Sequence, residues 1–113
     1  MNTKNSITLR SYDPPVEDVT LNFNELQEAS LVIRSLNHPL RQQILNLLEE
    51  FGSMTVTQIY IKLRIDQSVA SQHLAIIRKT DVLKTERNGK FIYYSLNKST
   101  IRAVSHMVQK VNV

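Results

Sequence analysis

The 113-residue sequence contains no cysteine and no tryptophan, and it has only two glycines and three prolines. Without cysteine the chain forms no disulfide, binds no metal through thiolates and offers no thiol nucleophile or redox sensor. No apolar run approaches the roughly 20 residues that span a bilayer, and residues 1–15 lack the apolar segment of a signal peptide. We therefore expect a cytoplasmic protein with no membrane partner.

The residue patterns of an enzyme are missing as well. There is no glycine-rich phosphate loop, and no serine, histidine and acid are spaced as in a catalytic triad. A chain of this length is expected to form one domain, with a core but without a large ligand cavity. We therefore predict no catalytic residue and no cofactor.

Charges of opposite sign are segregated along the chain. Residues 1–56 hold 4 Lys/Arg against 7 Asp/Glu, a net charge of −3, and residues 57–113 hold 10 against 3, a net charge of +7. A basic half on a small domain suits a polyanion, because cations that neutralise phosphates release bound counterions. The charge pattern favours a nucleic-acid partner.

Residues 1–21 show no sustained period and include Asp13, Pro14 and Pro15. This composition predicts an extended or flexible arm. Residues 22–113 are then expected to form the folded domain.

Two apolar stripes predict the first two helices. Asn22 and Glu25 have the spacing of a capping box, which places the first helix start at Asn22. Pro39 suits the first position of a second helix, and Gly52 suits its end. The stripes are Leu26, Ala29, Ile33 and Leu36 in the first helix, and Leu40, Ile44, Leu47, Leu48 and Phe51 in the second.

A helix-turn-helix is predicted next. Thr55 and Gln58 form a second capping box at the start of a short third helix. Arg64 and Ile65 then make a tight connection to Asp66, whose carboxylate is expected to cap a fourth helix beginning near Gln67.

This fourth helix, which we call the reading helix, has two different sides. Ala70, His73, Leu74 and Ile77 recur at helical spacing as its buried stripe. Small side chains on the other side let the backbone approach base edges, and glutamine pairs with adenine through two hydrogen bonds. In isolation this pattern is more often an ordinary solvated surface. The exposed side contains Gln67, Ser68, Ser71, Gln72, Ala75, Arg78 and Lys79.

A hairpin and a last helix follow. Asn88-Gly89 between alternating runs is a strong hairpin signal, and Arg87 and Lys90 beside it would repel each other unless an anion meets them. A hairpin in this position is a wing. The last helix is predicted from Asn97, and its apolar residues have the spacing of a helix-pairing seam: Ile101, Val104, Val108 and Val111.

Four blocks together resemble the ArsR-type winged-helix regulators: LNHPLRQQILNLL, MTVTQIYIKL, QSVASQHLAIIRKTDVL and ERNGKFIYYSL. The resemblance implies a mainly α fold with a small β-hairpin wing, in the order α-α-α-α-β-β-α. It also implies a homodimer that pairs through its first and last helices and places its reading helices in successive major grooves of double-stranded DNA.

The expected function is that of a sequence-specific transcriptional regulator, a homodimeric repressor that binds a palindromic operator. The open alternative is a winged helix used only for protein contact. The predicted DNA-binding residues are Gln67, Ser68, Ser71, Gln72, Arg78, Arg87, Asn88, Gly89 and Lys90. The predicted dimer interface contains Leu26, Ile33, Ile101, Val104, Val108 and Val111.

The sequence departs from the family pattern in two respects. Arg64 and Thr80-Asp81 stand where the family usually has Gly and Ala-Gly, so Asp81 must adopt or avoid a left-handed conformation. The metal ligands of the metal-responsive relatives are also missing, because Val56–Leu63 contains no ligand and His106 stands alone in the last helix. We predict no metal site, and we interpret His38 and His73 as structural residues. The sequence does not identify an effector.

Overall fold

The computed structural model describes residues 5–10 and 17–112, and ten elements of secondary structure lie within them. By its contacts the chain divides into two units, residues 1–31 and 32–113. The elements are β1 Ser6–Leu9, β2 Val19–Asn22, α1 Phe23–Leu36, α2 Pro39–Phe51, β3 Ser53–Thr55, α3 Val56–Leu63, α4 Gln67–Arg78, β4 Leu83–Asn88, β5 Phe91–Leu96 and α5 Lys98–Val111.

In the first unit, β1 and β2 pair antiparallel, with Ile7 opposite Leu21 and Leu9 opposite Val19. The predicted extended or flexible arm over residues 1–21 therefore contains strand β1 and most of strand β2, and their pairing is a feature that the prediction did not include. Each strand alternates polar and apolar residues, but four residues are too short to establish a period by themselves. Asp13, Pro14 and Pro15, on which the prediction depended, lie outside the described residues.

Helix α1 begins where the sequence predicts. The Oδ1 atom of Asn22 accepts hydrogen bonds from the backbone N–H groups of Asn24 at 2.9 Å and Glu25 at 3.1 Å. These bonds satisfy two donors that have no partner within the first turn of a helix.

The core of the second unit is built where α2, α3 and α4 meet the start of β4. Six side chains in it are completely buried, and each such burial contributes about 1.5–3 kcal/mol. They are Ile44 and Leu48 of α2, Ile59 of α3, Leu74 and Ile77 of α4, and Val82. This core fixes the inner side of the reading helix, which is α4.

One residue predicted to be buried is not. Phe51 is the last residue of α2 and is 48% exposed, with the Lys62 ammonium 4.6 Å from its ring centre. Gly52 ends the helix with φ 86°, so the chain turns away immediately after the aromatic residue. The apolar periodicity of a helix can continue to its last residue even where the hydrophobic core does not extend that far.

The helix-turn-helix forms as predicted, with one difference. At the start of α3, Gln58 N–H donates to Thr55 Oγ1 at 3.2 Å and Thr55 N–H donates to Gln58 Oε1 at 2.9 Å, which is the predicted capping box. Asp66 occupies the N-cap position of α4, but its side chain makes no capping hydrogen bond. The carboxylate is exposed to water and stabilises the helix only through the dipole.

A three-stranded sheet in the order β3-β5-β4 forms the wing and its base. Strand β3 is absent from the predicted order of elements, because three residues carry no readable period. The turn of the wing also differs by one residue from the prediction. Asn88 pairs with Phe91, so Gly89 and Lys90 are the central residues of the turn, and Gly89 supplies the positive φ of 64°.

Among the described residues, two residues other than glycine have left-handed backbone conformations. Arg64 has φ 56° between α3 and α4, and Asp81 has φ 63° after α4. Of the two alternatives left open for Asp81, the structure shows the left-handed conformation.

We expect Arg64→Gly to stabilise the protein by about 0.5–1 kcal/mol. Glycine removes the steric penalty that a Cβ atom pays in this conformation, but it also loses more backbone entropy on folding. Urea unfolding followed by circular dichroism measures the difference. Arg64→Ala is the control, because it removes the same charge and keeps the Cβ atom. If both variants unfold at the same urea concentration, strain at residue 64 is negligible.

Candidate nucleic-acid interface

The reading helix α4 is anchored on one side and open on the other. Ala70, Leu74 and Ile77 are buried in the core. The four predicted base-facing residues are all exposed and, at 3.6 residues per turn, lie within an arc of about 140°. They are Gln67, Ser68, Ser71 and Gln72. Arg78 is also exposed, and its position in the turn places it within the same arc.

The composition of this open side suits contact with base edges. The serine hydroxyl donates and accepts hydrogen bonds, and the amide of glutamine does both at once. Because these side chains are short or unbranched, the helix axis can come close to the floor of a major groove. The structure therefore brings together the four residues that the sequence selected on this helix.

The tip of the wing carries the second predicted set. Arg87, Asn88, Gly89 and Lys90 are consecutive and exposed. The Nε atom of Arg87 donates a hydrogen bond to the Gly89 carbonyl at 3.2 Å. The Lys90 ammonium lies 5.5 Å from the ring centre of Phe91. One exposed cation, Arg87, thus lies just before the turn, and a second, Lys90, lies within it.

The cations around these elements are not paired with carboxylates among the described residues. Over residues 5–10 and 17–112, two ion pairs are found, Arg10 with Asp18 and Lys98 with Glu49. The exposed cations of α3, α4 and the wing therefore have no carboxylate at ion-pair distance within that part of the chain. These cations are Lys62, Arg64, Arg78, Lys79, Lys84, Arg87 and Lys90. Such a surface attracts polyanions by long-range electrostatics.

Behind the reading helix lies a polar cluster that the sequence did not predict. Arg41 of α2 donates from Nε to Nδ1 of His73 in α4 at 3.2 Å, and from Nη1 to the Ser35 carbonyl at 3.0 Å. The rings of His38 and His73 have centres 4.7 Å apart. His73 is half-buried and hydrogen-bonded, as expected for a residue at the inner edge of the reading helix. Its partner Arg41 lies 32 positions away, and no local pattern links the two residues.

The predicted dimer residues differ in how exposed their side chains are in the single chain. Val108 is 39% exposed and Val111 is 78% exposed on α5. Val104 is half-buried, and Ile101 packs against the core of its own chain. On α1, Leu26 and Ile33 are exposed. The seam on α5 is therefore most open in the last two turns of this helix.

Two further findings concern metals and membranes. Among the described residues, no three or more His, Cys, Asp or Glu side chains are grouped as metal ligands would be. None of the helices in that same part of the chain has the length and apolar character required to cross a bilayer.

A helix-turn-helix with a polar reading helix, followed by a cationic β-hairpin, defines the winged helix-turn-helix class. Residues 38–85 match the family model described as bacterial regulatory protein, arsR family. The transcriptional repressor PagR of Bacillus anthracis is 32% identical over 94 residues, which cover 83% of this chain and 94% of PagR. The chain belongs to the ArsR family of bacterial regulatory proteins. The predicted resemblance is confirmed.

Other relatives agree with this assignment. The transcriptional repressor SdpR of Bacillus subtilis is 34% identical over 82 residues, which cover 72% of this chain and 90% of SdpR. The crystal structure of PagR superposes with a TM-score of 0.65 at 33% identity, and the match covers 77% of this chain and 99% of PagR.

A solution structure from Mycobacterium bovis is also similar. It is the homodimeric winged helix-turn-helix DNA-binding domain of a possible ArsR-family transcriptional regulator. The TM-score is 0.67 at 26% identity, and the match covers 79% of this chain and 82% of that domain. The winged helix-turn-helix fold is thereby confirmed. The family is one of regulators, so the prediction that this protein is not an enzyme is confirmed as well.

Proposed function

We propose that this protein is a sequence-specific DNA-binding transcriptional repressor that acts as a homodimer on a palindromic operator in the cytoplasm. The observation that carries the proposal is the open side of α4, where Gln67, Ser68, Ser71 and Gln72 are exposed while the opposite side of the helix is buried. The names of PagR and SdpR as repressors support the direction of regulation.

The two DNA-facing elements have different tasks in this proposal. The reading helix supplies hydrogen bonds to base edges and thereby specifies the sequence. The wing tip supplies positive charge beside phosphates, which positions the protein without reading bases. A twofold dimer presents both elements twice, so the operator repeats its half-sites at a spacing of about one helical turn.

The direct test is enrichment of bound duplexes from a random DNA pool, followed by affinity measurements at several salt concentrations. The proposal requires one palindromic sequence to emerge and its affinity to fall as salt rises. An unenriched pool together with no salt-dependent binding would refute the proposal and favour a winged helix that contacts only proteins.

We expect Gln72→Ala to lower operator affinity by about 1–3 kcal/mol for each half-site, because one bidentate base contact is lost in each of them. Affinity for random DNA should change little, and the salt dependence should stay the same. Fluorescence anisotropy with both DNAs measures these quantities. Gln109→Ala is the matched control, since it removes an exposed amide from α5 instead of from α4. Equal losses on operator and random DNA would mean that Gln72 does not read sequence.

A further inference from the structure

The cluster behind the reading helix joins three helices through one guanidinium group. Arg41 contacts the carbonyl of Ser35 in α1 and Nδ1 of His73 in α4, and it belongs to α2 itself. His38, the residue before α2, accepts a hydrogen bond at Nδ1 from the backbone N–H of Leu40 at 3.1 Å. Its ring is tilted by 51° against the ring of His73.

The Nδ1 atom of His73 carries no proton in this arrangement, because it accepts the hydrogen bond from Arg41. In a neutral imidazole whose Nδ1 accepts, the proton is on Nε2. A second proton on His73 would attach to Nδ1 and turn that atom into a donor. Two N–H groups, one from His73 and one from Arg41, would then point at each other, and the bond between α2 and α4 would be lost.

The charges around His73 oppose this second proton. Partial burial lowers the pKa of His73 below its ordinary value of 6.5, and the neighbouring His38 and Arg41 lower the pKa further. The facing groups from α2 and its cap are thus Arg41 and His38, and the group that α1 contributes is the neutral carbonyl of Ser35. Within residues 5–10 and 17–112, no carboxylate is at ion-pair distance from Arg41. Nothing described in the cluster would compensate a charged His73.

We propose that Arg41 positions the reading helix through the unprotonated Nδ1 atom of His73, so that acidification releases α4 and weakens operator binding. The inference rests on the proposed function, since it assumes that α4 reads DNA. His73 is directly next to Gln72 in α4, and a shift of the helix at this point displaces a base-reading side chain. Arg41 acts as a positioning residue and does not contact DNA in this account.

The sign of the accompanying change in stability follows from the lowered pKa. The unfolded chain takes up the proton near pH 6.5, whereas the folded chain takes it up only at lower pH. Unfolding therefore binds a proton between these two values, and the stability that is present above pH 6.5 declines as the pH falls through this window.

The test compares operator affinity at about pH 7.5 and pH 5.5 at constant ionic strength, with random DNA as reference. In the wild type, operator affinity should fall between these two pH values, and it should fall more than the affinity for random DNA. In His73→Gln the amide oxygen still accepts from Arg41 but takes up no proton, so the ratio of the two affinities should stay constant. His106→Gln removes an exposed histidine from α5 and should behave like the wild type.

A second measurement does not depend on DNA. Titration of the imidazoles by NMR in the wild type should place the pKa of His73 below 6.5, and Arg41→Met should raise that pKa, because one positive neighbour is gone. An unchanged pKa in Arg41→Met, or equal pH dependence in the wild type and His73→Gln, overturns the inference. Failure of the proposed function has a different signature, namely no operator preference at pH 7.5 in any variant.

Discussion

Replacing Val108 and Val111 with glutamate converts the dimer into folded monomers and lowers operator affinity at least about 100-fold. In the single chain these side chains are 39% and 78% exposed, so α5 tolerates glutamate as long as no partner covers it. In the proposed dimer the two substitutions bring four carboxylates into an apolar seam. The cost of removing each carboxylate from water is several kcal/mol, and a tenfold loss in affinity needs only about 1.4 kcal/mol.

Sedimentation velocity at micromolar concentration measures this loss, and an operator titration measures its consequence. The matched control is Ser105→Glu with Gln109→Glu, which adds the same charge to exposed polar positions of the same helix. This control should remain dimeric. Should the wild type itself sediment as a monomer, or the Val108 and Val111 variant remain a dimer, α5 is not the seam that pairs the subunits.

Removing both cations of the wing is the second change with a large expected effect on DNA binding. In a dimer, Arg87→Ala with Lys90→Ala removes four positive charges. A plot of log affinity against log salt has a negative slope, and each lost phosphate contact makes this slope less steep by about 0.9. The steepness of the slope should therefore decrease by about 3.6. If the affinity at 1 M salt is unchanged, this difference corresponds to a loss of about three and a half orders of magnitude at 0.1 M salt. Operator and random DNA should be affected alike.

The control for the wing keeps the loss of net charge the same. Arg102→Ala with Lys110→Ala removes two exposed cations from α5, where no DNA contact is proposed. Titrations of operator and random DNA over a series of salt concentrations should show nearly the wild-type slope for this variant. A slope that falls equally in both double variants would mean that net charge, not the wing, determines the salt dependence.

The parts of the fold that could be predicted from sequence are those whose signals are local. A capping box needs two residues three positions apart, and both Asn22 and Thr55 cap helices at the predicted positions. The open side of α4 is another such case, because the periodicity of Ala70, Leu74 and Ile77 determines which residues face away from the core. Whether Gln67, Ser68, Ser71 and Gln72 contact bases stays a prediction.

The elements that the sequence does not predict are short strands, and their pairing partners lie elsewhere in the chain. Strands β1, β2 and β3 have three or four residues each, which is too few for a periodic signal, and each is defined by a partner elsewhere in the chain. The sequence predicts the turn of the wing one residue too early, because Asn88-Gly89 is a common turn pair. Pairing of Asn88 with Phe91 shifts the turn to Gly89-Lys90.

The sequence predicts which residues of α4 are exposed, but it does not predict the contacts on the buried side of this helix. Exposed residues of α4 follow from one helix, whereas the contact of Arg41 with His73 needs the packing of α2 against α4. The sequence indicated only that His73 lies at the edge of the buried stripe. Knowledge of its hydrogen-bond partner, and hence of the protonation state of His73, requires the three-dimensional structure.

The central position of β5 in its sheet has a consequence for how this protein folds. Strand β3 pairs with β5 through Ser53 and Ser95, and these two residues are separated by the whole reading helix and by β4. The hairpin of the wing closes locally within microseconds, but the pairing of β3 with β5 must first close a long loop. We therefore expect the pairing of the wing with the helix-turn-helix to be the rate-limiting step in folding. Neither part should then reach its native structure without the other.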